Sequence, residues 1–135
     1  MGFQDEANDV LKGKRVVIVE DEGITVMQLR SILNGAGMDV VGAVGNAAEA
    51  VDLILKELPD LVLMDINMPG ERSGLDAAEA VLKTVRLCIV MLTAYSDEEY
   101  MRRAREYGAC GYIVKPISRN TLVPNLRAAY AQWIA

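Results

Sequence analysis

Arg15–Ala36 reads RVVIVEDEGITVMQLRSILNGA. Its first five residues, Arg15–Val19, are a β-branched run of strand length. Three acids follow, Glu20, Asp21 and Glu22. From Ile24 the period changes: Val26, Leu29, Leu33 and Ala36 recur at helical spacing, stopped by Gly35 and Gly37. The same alternation continues along the chain without any repeat of sequence. Asp39–Val44 (DVVGAV), Leu61–Asp65 (LVLMD), Leu87–Thr93 (LCIVMLT) and Gly111–Val114 (GYIV) read as further strands. Ala47–Leu58 puts Ala47, Ala50, Val51, Ile54 and Leu58 on one face before Pro59 ends it. Leu75–Val85 keeps Leu75, Ala78, Leu82 and Val85 in register. Asp97–Tyr107 is a polar helix with Met101 and Ala104 inward, and a last helix carries Leu122, Leu126, Ala129 and Trp133. Strands apolar on both faces and separated by helices imply a parallel sheet covered on both sides. The expected fold is α/β, a flavodoxin-like (βα)5 doubly wound three-layer sandwich with strand order 2-1-3-4-5.

Two stretches leave alternatives open. Residues 3–12 fit either a short extra helix or a disordered leader, so residues 1–13 are an N-terminal extension and 14–134 the domain. Pro124 falls in the second turn of a helix beginning at Ser118, which predicts a late start or a kink.

Composition narrows the function. The chain has 135 residues, a formal charge of −5, 52% apolar residues and no histidine. One globular domain is expected. There is no imidazole base, no histidine metal ligand and no phosphohistidine. The charge is not that of a nucleic-acid or membrane binder, although residues 86–135 carry 7 basic and 4 acidic side chains against 7 and 15 in residues 1–85. The acidic start lacks the apolar core of an export signal, and the apolar runs are too short to span a membrane. Two cysteines without CxxC spacing indicate free thiols and a cytoplasmic location. Cys88 and Cys110 each lie five residues before a strand-end polar residue, level on adjacent strands, and are read as buried inert thiols, with a redox switch as the alternative. Seven methionines are core filler.

The ligand crevice of such a fold lies at the carboxyl ends of the strands. There the chain places Glu20, Asp21 and Glu22 after the first strand, Asp65 and Asn67 at the third, Thr93 at the fourth and Lys115 at the fifth. Clustered carboxylates repel unless a cation joins them, and oxygen ligands in an incomplete cage suit Mg²⁺. Lysine binds an anion such as phosphate, and a hydroxyl donates to its oxygens. An aspartate, already ionised at neutral pH, is a competent nucleophile towards phosphorus. Together these groups stabilise a transferring phosphoryl group.

VVIVED at Val16–Asp21, LVLMDINMPG at Leu61–Gly70, MLTA at Met91–Ala94 and GYIVKP at Gly111–Pro116 together resemble the receiver domain of two-component response regulators, over residues 14–134. The resemblance is to single-domain, chemotaxis-regulator-like receivers. The segment GACGYIVKPISRNTLVP is more weakly similar to receivers of RNA-binding antiterminator regulators. It implies Asp65 as phosphoacceptor, taking the group from a histidine kinase or histidine phosphotransfer protein that docks near the first helix. It implies Mg²⁺ held by Glu20 (through water), Asp21, Asp65 and the Asn67 carbonyl. Thr93 is the switch hydroxyl, Tyr112 the switch aromatic and Lys115 the phosphate contact, with Lys115–Pro116 cis. The output surface is the fourth helix, fifth strand and fifth helix, with a phosphorylation-dependent dimer as an option. Such a domain is no conventional enzyme; it catalyses its own phosphotransfer and dephosphorylation.

The pattern departs in three places. Glu20 stands where Asp is commoner, Asp65–Gly74 is one residue longer than usual, and bulky Tyr95 is positioned to shield an acyl phosphate. Arg102, Arg103 and Arg105 are either a partner patch or a solvated face. Other functions fit less well. EDEG after the first strand would repel a flavin phosphate, GxxxxGK[ST] is absent, and Asn67 stands where an aspartyl phosphohydrolase has a second Asp. A docking module that works without phosphorylation is the remaining alternative.

Overall fold

The structure, a computed structural model, describes residues 9–68, 73–94 and 98–135. Five strands alternate with five helices: β1 (Arg15–Val19), α1 (Gly23–Gly35), β2 (Asp39–Val44), α2 (Ala47–Glu57), β3 (Leu61–Asp65), α3 (Gly74–Thr84), β4 (Cys88–Thr93), α4 (Glu98–Tyr107), β5 (Gly111–Val114) and α5 (Arg119–Ile134). The strands form one sheet in the order β2-β1-β3-β4-β5, and every pairing is parallel. The expected topology is therefore observed.

Alternation along each strand sends successive side chains to opposite faces. Val16, Ile18, Leu61, Leu63, Val90, Leu92 and Ile113 face a layer built with Leu29 and Leu33 of α1 and Leu122 and Leu126 of α5. Val17, Val19, Val62, Met64, Ile89 and Met91 face the other layer, with Ile54 of α2, Leu75 and Val81 of α3 and Ala104 of α4. Each fully buried side chain of this size contributes roughly 1.5–3 kcal/mol.

Helix starts are set by local hydrogen bonds. Asn46 accepts from the Glu49 amide at 2.8 Å at the start of α2. Ser73 and Asp76 form a capping box on α3, and Ser118 and Thr121 form one on α5. The α5 helix runs from Arg119 straight through Pro124, so the late start suggested by that proline does not occur. Proline there removes the amide that would bond the Asn120 carbonyl. Burial of Leu122, Val123, Leu126 and Tyr130 holds the helix across the gap, and the Asn125 side chain donates to the Thr121 carbonyl at 2.7 Å.

Residues 9–13 form a turn. Leu11 is fully buried in the α1/α5 layer, and Arg127 of α5 donates to the Asp9 carboxylate at 2.8 Å. Residues 1–8, which carry the rest of the alternative between helix and leader, lie outside the described residues.

Candidate functional site

The site is assembled where β1, β3, β4 and β5 end. Glu20 follows β1, its amide donating to the Val44 carbonyl at 2.9 Å. Its side chain is nearly fully buried, and its Oε1 accepts from Lys115 Nζ at 2.7 Å. Asp65 closes β3 and is also buried. Its two oxygens face different partners: Oδ1 accepts from the Asn67 amide at 3.0 Å, and Oδ2 lies 3.4 Å from Lys115 Nζ. Asp21 is exposed, yet carboxylate oxygens of Glu20, Asp21 and Asp65 all lie within 4.8 Å of one another. A cavity of about 230 Å³ opens over them, lined by Glu20, Asp21, Glu22, Asp65, Asn67, Ala94 and Lys115.

Lys115 is the counter-ion of this cluster. Burial works to lower its pKa. The Glu20 hydrogen bond and the charges of Asp65 and Glu20 outweigh that and hold the ammonium above the ordinary lysine range. Thr93, 1% exposed, ends β4, and its carbonyl accepts from the Lys115 amide at 2.7 Å. The Lys115–Pro116 peptide is cis, as expected. Tyr112 is half-buried one position before Ile113 and packs in the layer shared by α2, α3 and α4.

Chemically, an oxygen-only donor set in an open cavity fits a hard divalent cation. The lysine beside one carboxylate fits an anionic group brought to that carboxylate. The arrangement can hold a phosphoryl group between the Asp65 carboxylate and the Lys115 ammonium.

The family model of the response regulator receiver domain matches residues 16–127, which contain every one of these side chains. The chain is a response regulator receiver domain. The receiver domain is 40% identical over 125 residues to the transcriptional regulatory protein PdtaR of Mycobacterium tuberculosis, covering 93% of this chain and 60% of that protein. It therefore spans less than two thirds of that relative. The signal receiver domain of a modulated diguanylate cyclase from Desulfovibrio desulfuricans superposes with a TM-score of 0.81 at 31% identity, covering 91% of this chain and 98% of that one. The response regulator domain of Thermotoga maritima CheB gives 0.79 at 28%, covering 91% and 97%.

Of the site residues read from the sequence, Glu20, Asp21, Asp65, Asn67 and Lys115 line the cavity, Thr93 is buried one residue before the lining Ala94, and Tyr112 is set back in the core layer. Glu22 lines the cavity and accepts a short hydrogen bond from the Thr25 hydroxyl. Two of the three arginines of α4 are engaged within their own helix: Arg102 pairs with Glu99 and Glu106, and Arg103 lies over the Tyr107 ring and donates to its hydroxyl. Tyr95 and the loop residues 69–72 lie outside the described residues.

Spacing did not disclose the part played by two glycines. A Cβ at Gly74 would sit 1.9 Å from the Asp65 carbonyl oxygen, because the Gly74 amide bonds the Ile66 carbonyl at 3.0 Å. A Cβ at Gly45 would come to 3.2 Å from Asp21 Cα. Gly74 stood out in the sequence only as the end of a motif, with no sign that α3 begins in contact with the Asp65 backbone. Also unforeseen are Ile24 and Met27 of α1, which are 80% and 71% exposed beside the acidic turn.

Proposed function

We propose that Asp65 accepts a phosphoryl group from the phosphohistidine of a histidine kinase or histidine phosphotransfer protein, in the cytoplasm and in the presence of Mg²⁺. One observation carries the reading: three carboxylates from two strand ends converge within 4.8 Å while the Lys115 ammonium stands 3.4 Å from Asp65 and 2.7 Å from Glu20. Asp65 Oδ attacks phosphorus, the bond to the donor's ring nitrogen breaks, and the imidazole leaves with a proton. The Asn67 amide orients the attacking carboxylate. Lys115 exchanges part of its pairing with Glu20 and Asp65 for a phosphoryl oxygen. The Thr93 hydroxyl donates to another and, with Tyr112, switches the surface of α4, β5 and α5. Glu20 through water, Asp21, Asp65 and the Asn67 carbonyl would hold Mg²⁺. When bound, the ion supplies the positive charge that a phosphoryl transfer state needs. Exposed Ile24 and Met27 support a donor docking on the start of α1. Among the described residues no helix is long and apolar enough to cross a membrane. We take residues 14–134 as the receiver domain proper, with the turn at residues 9–13 resting on it.

Acetyl phosphate or beryllofluoride with Mg²⁺ tests this. Wild type gains one phosphate by intact mass, or a spectral change with beryllofluoride, and Asp65→Asn does not. Equal behaviour of the two refutes the mechanism and leaves a docking module that works without phosphorylation.

A further inference from the structure

The two cysteines stand together at the end of the sheet remote from Asp65. Cys88 opens β4, Cys110 immediately precedes β5, and these strands are parallel neighbours. The Cys110 amide donates to the Ile89 carbonyl at 2.8 Å. Cys110 stands level with Ile89, one residue from Cys88, and both cysteine side chains pack in the core layer of α1 and α5. Neighbouring strands run about 4.8 Å apart, close enough for a disulfide. Access is unequal, because Cys88 is fully buried and Cys110 only half-buried. The expectation of two buried thiols therefore holds for one of them. Arg86, just before β4, supplies positive charge to Cys110 and is fixed 5.8 Å over the Trp133 ring.

We propose that Cys110 and Cys88 form a peroxide-reactive dithiol, in which partly exposed Cys110 attacks and buried Cys88 resolves. The division of labour agrees with their surroundings. The neighbouring Cys88 thiol, the Ile89 backbone and the charge of Arg86 favour the Cys110 thiolate over the opposing effect of burial, and its pKa is lowered. The contact with Cys110 and burial keep Cys88 protonated, its pKa raised. The thiolate is the nucleophile.

In the first step the Cys110 thiolate attacks one oxygen of hydrogen peroxide. The O–O bond breaks, Cys110 becomes a sulfenic acid, and hydroxide leaves to take up the proton lost when the thiol ionised. In the second step the Cys88 sulfur attacks the Cys110 sulfur, and the sulfenic oxygen leaves as water with the Cys88 proton. The protein has lost two protons and two electrons, peroxide has been reduced to two waters, and the disulfide ties β4 to β5. The chemistry is independent of the phosphoryl site, which shares none of these residues.

The test is peroxide treatment of the full chain followed by intact mass and peptide mapping without reductant. The expected product is lighter by two hydrogens, contains a Cys88–Cys110 cross-link within one chain, and reverts with dithiothreitol. Cys88→Ser should stop at a dimedone-reactive sulfenic acid on Cys110, and Cys110→Ser should lose dimedone labelling. Three results overturn the proposal. Wild type could keep its mass, it could link only between chains, or Cys88 in Cys110→Ser could label as fast as Cys110 in Cys88→Ser. The wild-type measurement stands even where a serine variant fails to fold.

Discussion

Replacing Gly74 by alanine tests how closely the phosphoryl site depends on one backbone contact. The added Cβ would stand 1.9 Å from the Asp65 carbonyl oxygen, 2.8 Å from its carbonyl carbon and 3.0 Å from Ile66 Cα. All three are backbone atoms, so no side chain can swing aside. Reaching even the tightest separation real Cβ atoms show, 3.0 Å, takes a shift of about 1 Å. Either the start of α3 moves out or the end of β3 moves with Asp65. Overpacking of this kind costs about 1–3 kcal/mol. A displacement of ~1 Å at a reacting group lowers its rate about 10²-fold. Urea unfolding should therefore show a lower midpoint with an unchanged slope, and labelling by acetyl phosphate should slow by about two orders of magnitude. Gly23→Ala is the control, since a Cβ there meets nothing within 4 Å and the residue starts α1. It should be neutral or stabilising by up to about 1 kcal/mol. If Gly74→Ala unfolds and labels like wild type, the contact is not what positions Asp65.

Three further substitutions and one pH profile test other contacts of the structure. Lys115→Met strips the buried Glu20 and Asp65 carboxylates of their counter-ion and should cost roughly 1–3 kcal/mol after discounting for the partial exposure of the lysine. Added Mg²⁺ should recover more stability in the variant than in wild type, by urea midpoint. The raised Lys115 pKa means that its contribution is complete below the ordinary lysine value of about 10.4 and is lost as pH climbs beyond it. Wild-type stability should accordingly fall more steeply than that of Lys115→Met above that pH, and parallel curves would contradict the assignment. Leu58 ends α2 in the left-handed region at φ 45° and is 53% exposed, so Leu58→Gly should stabilise by about 1 kcal/mol, read as a rise in melting temperature. Ser73→Ala removes the capping box of α3 and should cost about 1 kcal/mol by the same measurement.

The order of elements was legible because each strand is apolar on both faces and each helix carries its own period. Once the strands are parallel, their carboxyl ends must collect Glu20, Asp21, Asp65, Thr93 and Lys115, so the site came with the topology. Contacts between backbones were not legible: the spacing of Gly74 is a one-dimensional fact, and its closeness to Asp65 arises only when α3 folds back. Periodicity read the inner face of α1 correctly, since Leu29 and Leu33 are buried and Val26 and Ala36 pack against the same layer. It did not show that Thr25 is buried too, its hydroxyl satisfied by Glu22. The apolar Ile24 and Met27 carry no sequence sign that they face solvent. Pro124 did not delay the start of α5, because local propensity is a weak prior beside the burial of four neighbouring side chains.

The alternation of strand residues between two core layers has one more consequence. Tyr112 belongs to the layer of α2, α3 and α4, whereas α1 and α5 rest on the other. The sheet is therefore a partition, and a substitution among the core residues of one layer repacks that layer directly and reaches the other only through the strands. In the proposed switch, a turn of Tyr112 would act directly on the α4 layer and reach α5 only through β5, while the inner face of α1 is set by residues of the opposite layer.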